Sequence, residues 1–216
     1  MLKGVFVVID GLGGLSCRSL EDRTPLEAAE TPNMNFLAAR GELGTFYPVA
    51  PGFVPESDEA IMSMFGNNKI SGIRGVLEAK GVGLDLKRGD LALRANFSTI
   101  DFSSGKIIDR RAGRNLTTEE VEILAKALNK IELPCKFEFV PSVQHRAVLV
   151  LRGGFSDEIS GNDEPFVKGK VGVKDKVGMC RPYDDEDNSL YTTNILNEFL
   201  EKAGRVLKNH PINQER

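Results

Sequence analysis

The sequence contains no tryptophan and only two histidines, His145 and His210, among its 216 residues. So few imidazoles leave little material for a histidine-rich metal centre. Cysteine is scarce as well. Cys17, Cys135 and Cys180 are odd in number, widely spaced and without a CxxC pair, which argues against a disulfide framework and a thiolate zinc site and fits a reducing cytoplasm. No apolar run is long enough for a bilayer: residues 5–14 are ten in number and already include Asp10. They also lack the basic flank and small-residue cleavage site of a signal peptide. Neither sign of charge dominates. With 28 Lys and Arg against 31 Asp and Glu the net charge is −3, so neither a nucleic-acid footprint nor a membrane partner is expected. What is present is ordinary for a globular chain, 41% hydrophobic and 27% charged, and long enough for one large domain or two small ones.

Gly4-Val5-Phe6-Val7-Val8-Ile9 is a continuous β-branched run, which predicts a strand buried on both faces of an α/β sheet. Asp10-Gly11-Leu12-Gly13-Gly14 then puts a carboxylate on a turn at the strand's carboxyl end. Thr31-Pro32 predicts a helix start, with Met34, Leu37 and Ala38 inward and Gly41 at its end. A second strand is expected at 44–49 and a short helix at 58–65. Further on, strands are expected at 91–97 and 146–151, with a helix over 118–131 capped by Thr117, giving a mostly antiparallel α+β unit. Residues 153–188 read as a long mobile loop, with the acidic run from Asp184 to Asp187 solvated. An amphipathic helix is expected over 189–207, with Ile195, Leu196, Phe199 and Leu200 on its stripe. Two βα units make a poor domain alone, because a parallel sheet needs both faces and both edges covered.

Two local patterns carry chemistry. Asp10, at a strand's carboxyl end, is placed to hold a divalent metal. Ser57, in Pro55-Glu56-Ser57-Asp58, sits at a helix start, where N–H groups favour a phosphate and a metal could activate the hydroxyl. Taken singly, each has a plainer alternative: Asp10 as a turn cap and Ser57 as a helix cap. The glycines fit neither GxGxxG nor a P-loop. Asp109-Arg110-Arg111-Ala112-Gly113-Arg114 packs three guanidiniums onto a turn, a fork set suited to carboxylate and phosphate. A solvated ion-pair cluster is the competing reading. Cys17 reads as a small buried filler.

Longer ordered blocks resemble archaeal cofactor-independent phosphoglycerate mutases, of the alkaline phosphatase-like superfamily. They include Asp10-Gly11-Leu12-Gly13, Thr24-Pro25-Leu26-Glu27-Ala28-Ala29-Glu30-Thr31-Pro32, Arg74-Gly75-Val76-Leu77-Glu78-Ala79, Asp90-Leu91-Ala92-Leu93-Arg94-Ala95-Asn96-Phe97 and His145-Arg146-Ala147-Val148. The resemblance covers nearly all of this chain and about the first half of a typical member. It implies an α/β fold, namely an incomplete, mostly parallel alkaline phosphatase-like core carrying an inserted α+β domain. The expected division is 1–66 as the amino-terminal part of the metal-binding core, 67–188 as the substrate-binding insert and 189–216 as a helix returning to the core.

The implied activity interconverts 3- and 2-phosphoglycerate through a phosphoserine, in glycolysis and gluconeogenesis, without 2,3-bisphosphoglycerate. Ser57 matches the nucleophile, which together with Asp10 would touch the metal. Arg74, Arg110, Arg111, Arg114, His145 and Arg146 match substrate-binding positions, with Arg94 a further candidate. Two divalent metals are implied for a complete site, manganese or magnesium, with zinc or cobalt as alternatives. Two departures stand out. Relatives follow the serine with Asp-Thr-Ala-His, whereas here Ile61 takes the histidine's place, and most family metal ligands come from the second half. The expectation is therefore the first part of a split or truncated mutase, completed by a second polypeptide. An inactive anion-binding or interaction module, and a metal-dependent phosphatase of the same superfamily, are the alternatives.

Overall fold

The computed structural model describes residues 3–55, 57–67, 73–163 and 175–215, and the backbone of 166–167 and 170–171. The chain divides into two units, Met1–Phe46 and Tyr47–Arg216.

In the first unit the expected opening strand does not form. Residues 3–9 join no ladder, and Val5, Phe6, Val7, Val8 and Ile9 are exposed, Val5 by 88%. A strand buried on two faces needs neighbours on both edges, and every strand pairing among the described residues is antiparallel and belongs to the other unit. The expected strand at 44–49 is likewise unpaired. Helix α1, Pro25–Ala28, is set by a capping box that the Thr24-Pro25-Leu26-Glu27 pattern encodes: Thr24 Oγ1 accepts from the Glu27 N–H at 3.2 Å, and the Glu27 carboxylate accepts from the Thr24 N–H at 2.8 Å. Helix α2, Pro32–Ala38, starts with proline at its first position as expected. Its Leu37 is exposed rather than inward, and Cys17 is exposed rather than a buried filler. No described residue of this unit is buried.

The second unit holds the hydrophobic core. Helices α3, Ser57–Met64, and α4, Arg74–Gly81, precede strand β1, Leu91–Asn96; a hairpin of β2, Thr99–Ile100, and β3, Ile107–Asp109, follows. Next come α5, Thr118–Leu128, then β4, Lys136–Pro141, and β5, Arg146–Arg152; a two-stranded hairpin pairs β6, Phe166–Val167, with β7, Lys170–Val171. The chain closes with α6, Asp187–Lys208, and α7, Pro211–Gln214. The main sheet is antiparallel in the order β1-β5-β4, as the sequence pattern predicts for this segment.

Central strand β5 explains the unbroken apolar run that marked it. Ala147, Leu149 and Leu151 pack on one face with α5 and α6, while Val148 and Val150 pack on the other with Ala79 of α4. α6 contributes Ile195, Leu196, Phe199 and Ala203 to the larger cluster, and each fully buried large side chain there stabilises by roughly 1.5–3 kcal/mol over leaving it exposed. α4 lies so close to the sheet that a Cβ on Gly75 would come within 1.8 Å of the Ala92 carbonyl oxygen. Only glycine fits there.

The segment expected as a mobile loop is tied down over much of its described part. Ser160 and Cys180 are buried. The Ser160 N–H donates to the Arg181 carbonyl at 2.8 Å, and Asn197 of α6 brackets the Cys180 backbone with bonds of 2.9 and 3.0 Å. Buried backbone groups need partners, and these supply them. Asp185, Glu186 and Asp187 are exposed as expected, with Asp187 in the first turn of α6 rather than in a loop. No helix among the described residues is long and apolar enough to cross a membrane.

Candidate functional site

Ser57 is the first residue of α3, and its exposed hydroxyl lies on the wall of a cavity of about 290 Å³. Arg74, from the start of α4, Arg94 of β1 and Arg146 of β5 line the same cavity. Two carboxylates organise these cations. Asp58, whose side chain is 9% exposed, takes the Arg74 Nε–H at 2.8 Å. Glu78 lies 3.9 Å from Arg94 Nε and also accepts from the Ser142 hydroxyl. Arg146 is exposed at the start of its strand. The cavity therefore combines a hydroxyl at a helix start with three guanidiniums, the chemistry of an anion site. Ile61, one helical turn from Ser57, forms part of its wall.

His145 precedes Arg146 in the β4–β5 turn. It is 5% exposed, and its Nδ1 has no hydrogen-bond partner among the described residues. Burial pushes its pKa below the ordinary imidazole value, and the charges of Arg146, Arg94 and Arg114 push the same way against a weaker pull from Asp109. Arg114 thus lies close enough for its charge to act on the imidazole.

The arginine turn is folded by Asp109, whose carboxylate accepts the N–H of Arg111 at 2.7 Å and of Gly113 at 3.1 Å. Ala112, Gly113 and Arg114 all take positive φ, a conformation costly for the first and last of them. Arg111 and Arg114 are exposed. Arg110 instead meets Asp163 in a two-point pair, and this contact raises its already high pKa. None of the three lines the Ser57 cavity.

Asp10 sits on an exposed turn of the first unit, after Ile9 and beside Gly11 at φ 74°. Among the described residues no three His, Cys, Asp or Glu side chains cluster closely enough to hold a metal ion. One carboxylate and one hydroxyl do not make a divalent-metal centre, so these residues by themselves do not fit the metals that the resemblance implies. A larger hollow of about 470 Å³ beside β4 has Cys135 and Lys136 on its wall but none of the expected site residues, and its Arg152 is held by Asp90 and Glu138.

Sequence reasoning missed three organising acids: Asp58, Glu78 and Asp163. Glu78 stands four residues from Arg74 on one helix, yet it lies by Arg94 of β1 while Arg74 turns to Asp58, so helical spacing points to a different pair. No local pattern links Asp163 to Arg110, 53 residues earlier.

The mixed α/β architecture, a partial sheet with flanking helices, is that of an alkaline phosphatase-like core seen in solved relatives. A cofactor-independent phosphoglycerate mutase from Thermoplasma acidophilum matches at 39% identity with a TM-score of 0.55, covering 97% of this chain and 54% of that one. The PH0037 protein from Pyrococcus horikoshii matches at 32% identity with a TM-score of 0.61, covering 96% and 45%. The family profile of 2,3-bisphosphoglycerate-independent phosphoglycerate mutase matches residues 38–213, and the chain belongs to that family. Mutases of the same description are 45% identical in Thermococcus kodakarensis over 99% of this chain and 50% of that protein, and 41% identical in Methanopyrus kandleri over 99% and 51%. The chain spans about half the length of the curated relatives it matches.

Proposed function

We propose that this chain is the amino-terminal part of a phosphoglycerate mutase that works through a phosphoserine at Ser57, with its remaining ligands and strands supplied from beyond these residues. The observation that carries this reading is the cavity that Ser57 lines together with Arg74, Arg94 and Arg146. In the proposed reaction the Oγ–phosphorus bond forms as the bond from phosphorus to a glycerate oxygen breaks, and the serine's proton ends on the freed glycerate hydroxyl. The reverse step returns the phosphoryl group to the other glycerate hydroxyl. The guanidiniums hold the phosphate and carboxylate while charge moves between oxygens. Arg110, Arg111, Arg114 and His145 belong to the same reading as further substrate contacts, and Asp10 as a ligand in a metal site, for manganese or magnesium, that the described residues do not complete. The division into core residues 1–66, insert 67–188 and returning helix 189–216 belongs to it too.

A polypeptide carrying the carboxy-terminal half of the family domain is the proposed partner. Combined with such a half, for example that of the Thermococcus kodakarensis relative, the chain should interconvert 3- and 2-phosphoglycerate, and mass spectrometry should find one phosphoryl group on Ser57. Undiminished turnover in Ser57→Ala would overturn the assignment. Release of free phosphate instead of transfer would favour a phosphatase of the same superfamily.

A second reading has an observation of its own. Ile61 lines the cavity at the position where the resemblance implies a histidine, which favours a module that binds phosphoglycerate without turning it over. Binding by calorimetry, with no phosphoserine in the combined sample, is its signature.

A further inference from the structure

Arg110 has the chemistry of an anion-binding residue, yet its fork is filled from within the chain. Its Nε donates to Asp163 Oδ2 at 2.7 Å and its Nη2 to Oδ1 at 3.1 Å. A substrate carboxylate or phosphate would use the same two-point geometry. The two side chains are 38% and 26% exposed, so the pair is open to solutes rather than sealed in the core. The backbone that carries the arginine is held by other contacts. Asp109 folds the turn beneath it through two backbone N–H groups, and the Ser98 hydroxyl donates to the Arg110 carbonyl at 3.4 Å. β2 and β3 meanwhile fix the hairpin that carries it.

We propose that Asp163 is a specificity-setting residue: an internal carboxylate that occupies the Arg110 fork and yields it only to an anion able to match both contacts. This role rests on the reading of Arg110 as a substrate contact and adds to it the residue that substrate must displace. A small molecule bearing a carboxylate or a phosphate dianion offers two oxygens to the fork. Chloride offers one point of charge and leaves the internal pair in place. Because a partly exposed pair contributes little, displacement is cheap for the right anion, and Asp163 tunes affinity without abolishing it.

Isothermal titration of the chain with 3-phosphoglycerate, and separately with inorganic phosphate, tests this in the wild type and in Asp163→Asn, Asp163→Glu and Arg110→Ala. Asp163→Asn should bind 3-phosphoglycerate about three- to tenfold tighter and become more sensitive to chloride competition. Asp163→Glu, which keeps the carboxylate, should stay near the wild type, and Arg110→Ala should bind more weakly. Thermal melting of each variant checks the fold. If Asp163→Asn binds no better while Arg110→Ala still weakens binding, the role given to Asp163 is wrong and that of Arg110 survives. Asp163 also loses that role if Asp163→Asn loses binding and melts lower, since the pair is then a structural tie. Wild-type binding by Arg110→Ala removes Arg110 from the site and overturns both roles, as does an absence of binding in all four proteins.

Discussion

Ile61 and His145 sit on opposite sides of the chemistry proposed for the Ser57 cavity, one as a gap and one as a constraint. An imidazole at position 61 would stand one helical turn from the Ser57 hydroxyl, within the same cavity wall. Positioned proton transfer contributes roughly 10²–10⁴-fold to rate. Ile61→His in the completed enzyme should therefore raise mutase turnover by about tenfold or more, measured as kcat with phosphoglycerate; an unchanged kcat would mean that this wall position takes no part in the reaction. His145 makes a prediction about pH. Its folded-state pKa lies below the ordinary 6.5, so below that pH the unfolded chain binds more protons than the folded one. Its contribution to stability is whole above the unfolded value and is lost as pH falls from about 6.5 toward the lowered folded value. Melting temperatures measured from about pH 7.5 down to about 5.5, roughly one unit each side of the ordinary imidazole value, should fall less in His145→Gln than in the wild type. Equal slopes would show that the imidazole is not held neutral by its surroundings. Ser57, Arg74 and Arg146, which line one cavity, are legible as candidates because short motifs mark them. Their carboxylate partners are less so, because an ion pair such as Arg110–Asp163 joins residues whose nearness is decided only by folding.

Among the described residues β4 is an edge strand, paired only with β5, and its outward backbone groups need partners of another kind. Asn129, just past α5, provides them. Its Nδ2 donates to the Phe139 carbonyl at 2.7 Å and to the Ala125 carbonyl at 3.0 Å, while its Oδ1 accepts from the Phe139 N–H at 2.9 Å. One side chain thus closes the end of a helix and the middle of a strand edge. Replacing it with alanine leaves partly buried donors and acceptors open, at about 1–3 kcal/mol for each group left unsatisfied. Asn129→Ala should therefore lower unfolding free energy by roughly 2–4 kcal/mol in urea denaturation; a loss under about 0.5 kcal/mol would mean that water replaces the amide at no cost. The elements that the sequence announces share a property. α5 and α6 carry amphipathic stripes, and β5 is apolar throughout because both its faces are covered. α4 escapes sequence reading because Gly75 and Gly81 are poor helix formers, and Gly75 answers instead to its contact with the Ala92 carbonyl. The run at residues 4–9 has the composition of a strand, but a strand exists only where another chain segment accepts its hydrogen bonds.

That last requirement separates the two units of the molecule. Residues 3–46 include no buried side chain, and their described backbone hydrogen bonds lie in turns, short helices and one isolated bridge at Cys17 and Arg23. Five consecutive large apolar residues, Val5 to Ile9, face solvent. The second unit has a two-sided core with β5 at its centre. Burial of this kind sets the free energy of local opening, so the two parts of the chain should not open together. Hydrogen exchange followed by mass spectrometry should show amides of 3–46 exchanging at least on the order of 100-fold faster than those of β1 and β5. Adding the complementary half of the family domain should then slow exchange in residues 4–9 specifically, because a continuous apolar strand gains its ladder only between two neighbours. Protection already equal across both units in the isolated chain would show that the first unit is folded by contacts of its own, and the need for outside strands would disappear. Exchange that stays fast at 4–9 while mutase activity appears would place the partner's contacts elsewhere on the chain.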